Sequence, residues 1–254
     1  VSFAPDRIDF LGIPLARITT AGFVSGFLNA IVARRPAGEG VRPLFVTYLN
    51  AACSNISAND AEYADVLRLA DAVYADGQAI VWASRVLGRP LPERVNAADF
   101  IVEFCREAAM RGVSLYLLGS AEGVAAGAAA ELCRQVPALD IRGAECGYFS
   151  DDGAAVTDRI RAASPDLLLL GLSVPLQEKW AISRLDRLGV RAVWCVGAMF
   201  EYHAGHRARA PVWVRKAGLE WLFRLALEPR RLWRRYIVGN VVFIWRVVRA
   251  ALSR

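Results

Sequence analysis

Polar and glycine residues follow one apolar run after another in this chain of 254 residues. Thr47-Tyr48-Leu49-Asn50 closes the first such run, Asp76-Gly77 the second, Gly119-Ser120 the third and Gly147-Tyr148-Phe149-Ser150 the fourth. Ser173-Val174-Pro175-Leu176-Gln177-Glu178 and Gly197-Ala198-Met199-Phe200-Glu201 close the last two. Ligands of open α/β sheets bind beyond the carboxyl ends of the strands, so this gathering is what a nucleotide or sugar site requires. Each piece alone has a plainer reading. Glycines after strands make turns. Asp76 could cap the helix that follows, Thr47 and Asn50 could be strand-end hydrogen-bonders, and Gln177-Glu178 could open a helix with a favourable dipole. Gly119 and Gly123 do not form the GxGxxG fingerprint of dinucleotide sites. His203 and His206 stand three apart, with no third or fourth metal ligand apparent near them.

A second source of chemistry is the end of the chain. Residues 205–254 hold twelve Arg or Lys, eleven of them Arg, against two acids, and four of the seven tryptophans. That tail carries about +10, while residues 1–204 carry about −4, so the net +6 hides two unlike parts. Guanidinium forks suit diphosphate better than ammonium groups do. On one ideal helix Arg224, Arg231 and Arg235 would share a stripe within about 40°, although Pro229 between them more naturally starts a new helix. Further on, residues 237–252 mix Val, Phe, Ile and Trp with Arg246 and Arg249. A helix lying in the headgroup plane of a membrane fits that pattern; a core helix of a homo-oligomer is the alternative. Nucleic acid is a poor partner for this tail, because its apolar content is too high for a phosphate-tracking arm.

Composition narrows the field. Hydrophobic residues make up 55% and charged residues 22%, which argues against disorder. No stretch of eighteen uncharged apolar residues exists, so a spanning helix is not expected. The first residues show no basic segment followed by an apolar one, hence no visible secretory leader. Five cysteines, odd in number and without a CxxC pair, read as small buried hydrophobes in a reducing compartment.

The elements that must position these groups alternate. Strands are expected at 42–50, 72–75, 113–118, 139–146, 165–172 and 190–196, with a small one within 10–18. Helices are expected at 20–34, 57–69, 78–87, 99–111, 123–135, 151–163 and 177–188. Runs apolar throughout, separated by helices, predict an α/β fold: a Rossmann-like, mostly parallel sheet covered by helices on both faces. Residues 1–204 would form this domain and residues 205–254 a basic amphipathic appendage.

Nine short stretches are spread, in order, across roughly residues 10–240: TYLN at 47–50, ADG at 75–77, ERV at 93–95, LLGS at 117–120, GYF at 147–149, GLSVPLQEKW at 171–180, GAMFEYHAG at 197–205, RAP at 209–211 and GLEWLFRLALEPRRLWRRY at 218–236. With them the chain resembles the WecG/TagA/CpsF glycosyltransferases. The resemblance implies a Rossmann-like core without the metal-binding DxD motif, and no cofactor. It implies inverting transfer from a UDP-sugar to a polyprenyl-diphosphate-linked saccharide, in teichoic acid, common-antigen or exopolysaccharide synthesis. The enzyme would sit peripherally on the cytoplasmic face of the bacterial inner membrane. Members use UDP-N-acetylmannosamine, its uronic acid or UDP-glucose. Carried over by position, Asp76 matches the proposed catalytic base, Thr47 and Asn50 line its pocket, Arg94 stands beside it, and Gln177 is the glutamine of the PxQE element. Arg224, Arg231 and Arg235 fall in the basic element thought to close over the site and touch diphosphate.

The chain also departs from the family pattern. Asn96-Ala97 replaces the usual Thr-Gly or Ser-Gly after ERV, Leu176 the usual lysine before Gln177, and Glu201 the usual aspartate after Phe200. Such changes near a sugar pocket leave the donor sugar open. In the implied reaction Asp76 takes the proton of the attacking hydroxyl. Arginines of the tail and backbone donors at Gly119-Ser120 meet the charge of the leaving diphosphate. A different nucleotide-cofactor enzyme of the same architecture would need a glycine-rich first turn and an acidic residue at the next strand end. A non-enzymatic membrane scaffold would have no use for Asp76.

Overall fold

Apolar stretches of four to six residues dominate the middle of the chain and become its strands. The computed structural model describes residues 3, 5–34, 42–149 and 152–253. Ser150 and Asp151, which the sequence reading placed at a strand end and a helix start, lie outside these. The chain opens with a hairpin of β1 (Arg7–Phe10) and β2 (Ile13–Ala16), then α1 (Thr20–Ala33). The body follows as β3 (Leu44–Leu49), α2 (Ala51–Ser57), α3 (Ala61–Leu69), β4 (Ala72–Ala75), α4 (Gln78–Val86), α5 (Ala97–Met110), β5 (Leu115–Gly119), α6 (Val124–Gln135), β6 (Ile141–Glu145), α7 (Ala154–Ala163), β7 (Leu167–Gly171), α8 (Leu176–Arg184), β8 (Ala192–Cys195) and α9 (Met199–His203). The tail adds α10 (Val212–Lys216), α11 (Glu220–Leu227), α12 (Pro229–Trp233), a π-turn at Arg234–Val238 and α13 (Gly239–Leu252).

Six strands form one sheet in the order β4-β3-β8-β7-β5-β6, every neighbouring pair parallel. Five of them are buried along their whole length, which is why their sequences are apolar throughout rather than alternating. The sixth, β6, is an edge strand, partly exposed and carrying Arg142 and Glu145; charges on an edge oppose pairing with another chain. On one face Phe23 and Phe27 of α1 meet Phe100 and Phe104 of α5 around Trp194 of β8. The predicted α/β sheet is therefore present, and the small strand expected within 10–18 is one arm of an antiparallel hairpin.

Two expectations need correction. The helix expected at 57–69 begins only at Ala61, after a shorter, unexpected helix that ends at Ser57, and its cap is Asp60. Its carboxylate accepts from the Tyr63 N–H at 2.9 Å and caps α3, while Ser57 ends α2 rather than starting a helix. Cysteines 133 and 146 are only partly covered; all five thiols are free. Among the described residues, no helix is long and apolar enough to cross a membrane.

The tail lies against the body. Phe243 and Val247 are buried, Phe243 stacks on Phe10 at 6.4 Å between ring centres, and Asn55 of α2 donates to the Gly239 carbonyl at 2.7 Å. Arg246, expected at a headgroup plane, turns inward instead and donates to the Ser54 carbonyl at 2.6 Å. The opposite side of the helix leaves Val241, Ile244, Trp245, Val248 and Leu252 exposed.

Candidate active site

The chain leaves β3 for β4 on one side and later returns to β8 on the other, so a crevice opens at the carboxyl end of β3. A cavity of about 1160 Å³ occupies it. Residues from the ends of all six strands line it: Asn50, Asp76, Ser120, Tyr148, Ser173 and Gly197. The tail roofs it with Glu220, Trp221 and Arg224 from α11, Arg231 from α12, Arg235 and Tyr236 from the π-turn, and Ile244 and Val248 from α13.

Asp76 stands one residue past β4, its N–H bonded to the Leu49 carbonyl at 2.9 Å. Its carboxyl does not cap α4. Gly77 holds the cap position at φ +148°, a backbone that side chains disfavour. Instead Asn96 Nδ2 donates to Asp76 Oδ1 at 2.6 Å. Burial raises the Asp76 carboxyl to about 6, with nearby Arg94 and the Asn96 amide pulling the other way. A carboxylate tuned close to neutrality and facing a cleft can accept a proton from a hydroxyl. Arg94 lines the cleft beside it, paired with Asp99 and, at 3.0 Å, with Glu220 of α11.

Two residues read as site groups lie beneath the floor. Thr47 and Gln177 are fully buried and do not line the cavity. Both donate to Oε1 of the fully buried Glu178, Thr47 at 3.0 Å and Gln177 at 2.7 Å. Burial lifts Glu178 to about 7. The reason is geometric: Thr47 points from the middle of β3 toward α8, whose first turn carries the other two. Asn50 does line the cleft, with its Oδ1 committed to the Cys53 N–H at the start of α2.

Gly119-Ser120 also differs from expectation. The Ser120 N–H is bonded to the Gly171 carbonyl at 3.0 Å, and α6 begins only at Val124. That N–H is therefore no free phosphate donor. Gly119 packs so tightly on β7 that a Cβ there would sit 2.4 Å from the Gly171 oxygen. Ser120 remains at the cavity wall. Glu201 reaches the cavity paired with Arg207 at 2.7 Å. His203 and His206 join no metal site: no group of three His, Cys, Asp or Glu suited to a metal exists among the described residues.

The three tail arginines do converge on the cavity, though not from one helix. Glu228 breaks α11 at φ −132°, ψ 60°, and Pro229 begins α12. Arg231 is held by Glu228 at 2.6 Å. Arg224 and Arg235 have no carboxylate at ion-pair distance among the described residues, and the buried Nε of Arg224 has no acceptor there. Two cations over a carboxylate, in one cleft, can hold an anion and a hydroxyl side by side. The sequence reading missed Glu220, Arg207, Arg209 and Asp99, and treated Asn96 only as a departure. Glu220 lies inside the distinctive 218–236 stretch and Arg209 opens RAP, so their positions were marked while their partners were not.

Residues 8–254 match the model of the glycosyl transferase WecG/TagA/CpsF family. Among curated proteins, the N-acetylglucosaminyldiphosphoundecaprenol N-acetyl-beta-D-mannosaminyltransferase of Staphylococcus aureus strain MRSA252 is 25% identical over 244 residues, covering 96% of this chain and 93% of the relative. The proteins of the same name from strains NCTC 8325 / PS 47 and COL match to the same extent.

Proposed function

Because the chain belongs to the WecG/TagA/CpsF glycosyltransferase family, we propose that its cleft moves a sugar, with inversion, from a UDP-sugar to a saccharide carried on polyprenyl diphosphate. The observation that carries this reading is the opposition of Asp76 on the floor to Arg224 and Arg235 on the roof of one cavity. The acceptor hydroxyl oxygen attacks the anomeric carbon as its proton passes to the Asp76 carboxylate. The bond from that carbon to the donor's phosphate oxygen breaks, and its electron pair leaves with UDP. Arg224 and Arg235 meet the charge that grows on the diphosphate, a role a metal fills in other transferases.

The name of the staphylococcal relatives makes an N-acetylmannosamine donor and an N-acetylglucosamine-diphosphate-lipid acceptor the first pair to try. The departures at Asn96, Leu176 and Glu201 make a different donor equally worth testing. A lipid-linked acceptor also fits the exposed apolar side of α13 at the cleft's rim, where Ile244 and Val248 belong both to the cavity wall and to the outer surface. On this reading residues 205–254 act as a membrane-facing cover to the catalytic body.

Purified protein, a short-chain lipid-diphosphate saccharide and a panel of UDP-sugars test the proposal. One donor should give a β-linked product from an α-linked donor, with turnover unchanged in EDTA. Retention of configuration would refute the single displacement, and strong inhibition by EDTA would refute the arginine-only account.

A further inference from the structure

Asn96 occupies the residue before α5, in extended backbone at φ −127°, ψ 114°, where asparagine is among the best helix caps. Its side chain caps nothing. The Nδ2 group donates to Asp76 Oδ1 at 2.6 Å, and Oδ1 accepts from Arg209 Nη2 at 3.2 Å. The amide is thus fixed at both ends. A guanidinium has only donors, so the amide oxygen must face Arg209 and the amide N–H must face the carboxylate.

Arg209 is itself anchored. It donates to the Ala98 carbonyl, to Asp99 Oδ1 at 2.8 Å, and lies over the Tyr202 ring at 5.4 Å. The backbone N–H of Val95 bonds the Ala75 carbonyl at 2.9 Å, tying the segment that carries Asn96 to the end of β4. The second Asp76 oxygen takes no hydrogen bond from the described residues, and Asp76 lines the cavity.

We propose that Asn96, held by Arg209, is the positioning residue of the base: it binds one Asp76 oxygen, aims the other at the incoming hydroxyl, and favours the ionised carboxylate. This rests on the reading of Asp76 as base. The chemistry of the amide is what matters. An amide N–H can only donate, and it binds an ionised oxygen more strongly than the carbonyl oxygen of a protonated carboxyl, so it favours the carboxylate form. A serine or threonine hydroxyl there could turn and accept instead, serving both forms.

The groups facing Asp76 act in opposite senses. Arg94 from the same segment and Arg224 from α11 favour its charge, while Asp99 of α5 and Glu220 of α11 oppose it. Tyr48 of β3 and Tyr74 of β4 lie within its field, and burial pushes both phenols up, so they remain neutral. Removing Asn96 leaves burial opposed by Arg94, already paired with those two carboxylates, and by Arg224.

The test is the pH profile of kcat in Asn96→Ala and Asn96→Asp, together with the titration of Asp76 by 13C NMR in the same proteins, its resonance assigned by its loss in Asp76→Asn. In Asn96→Ala the acid limb and the Asp76 titration should both move up by about one pH unit, the size of one charge-assisted hydrogen bond. The donor KM should stay within about twofold. Asn96→Asp keeps the shape but sets a second carboxylate against the first, so both midpoints should move further up. Asn96→Thr, which retains a donor, should recover part of the shift. An unmoved Asp76 titration in Asn96→Ala and Asn96→Asp overturns the inference, whatever happens to turnover. Retained turnover in Asp76→Asn instead overturns the base itself, and the NMR titration still decides what Asn96 does.

Discussion

Five strands of the sheet are buried from end to end, whereas α11 buries no residue and α12 and α13 bury three between them, Leu232, Phe243 and Val247. Both regions face one cavity, and each supplies the group that suits its build. On the proposed reading the base must meet its proton within hydrogen-bond reach, which suits Asp76 just past β4, a strand held by its pairing with β3. Charge on a diphosphate can be met over a wider range of positions. On the same reading, long arginine side chains on a lightly packed cover would fulfil that need.

The comparison can be broken most decisively at the floor. Asp76→Asn should lower kcat by about 10²–10⁴-fold while UDP still binds, as general base catalysis of this size implies; steady-state rates with UDP titration calorimetry check both halves. On the roof, Arg224→Ala should cost on the order of 10²-fold in kcat, the effect of one donor to a developing anion. Arg231→Ala should cost less, because Glu228 already shares that guanidinium. An equal loss at both positions would mean that the ion pair opens when substrate binds.

A smaller effect separates stability from chemistry beneath the floor. Glu178 has an ordinary value of 4.5 in the unfolded chain and about 7 in the fold. The folded state therefore holds a proton that the unfolded state has lost across that window. Stability from this group is full below about pH 4.5 and falls as pH rises toward 7, by on the order of 3 kcal/mol. Glu178→Gln should flatten that slope in urea denaturation at several pH values. The smallest expected change is on the outer side of the cover. Trp245→Ser should weaken binding to anionic vesicles several-fold without altering turnover on a soluble acceptor analogue, as measured by flotation.

How far the molecule was legible follows the same divide. Strands such as LLLLG at 167–171 and AVYA at 72–75 declare themselves because burial on both faces demands unbroken apolar runs. Asp76 and Asn50 were legible as strand-end residues, since position alone brings them to the crevice. Thr47 and Gln177 were not. Their polarity suggested a pocket, but whether a polar side chain points into a cleft or under it depends on which helix packs across the strand. Asn96 lay deeper still. Its partner is twenty residues back and its anchor, Arg209, is more than a hundred residues ahead, so no local pattern marks it. The tail's three arginines were expected on one stripe. They reach the same cavity from two helices and a turn, through a break that Pro229 signalled.

The widened turn at Arg234–Val238 has a practical corollary. It carries Arg235 to the cavity and joins α12, which carries Arg231, to α13, which seats Phe243 and Val247 on the body. Deleting one codon there would rotate everything downstream by roughly 100°, one residue's share of a helical turn. The protein would then have to choose between keeping its guanidiniums on target and keeping its last helix docked, so indels in these five residues should be far less tolerated than substitutions beside them.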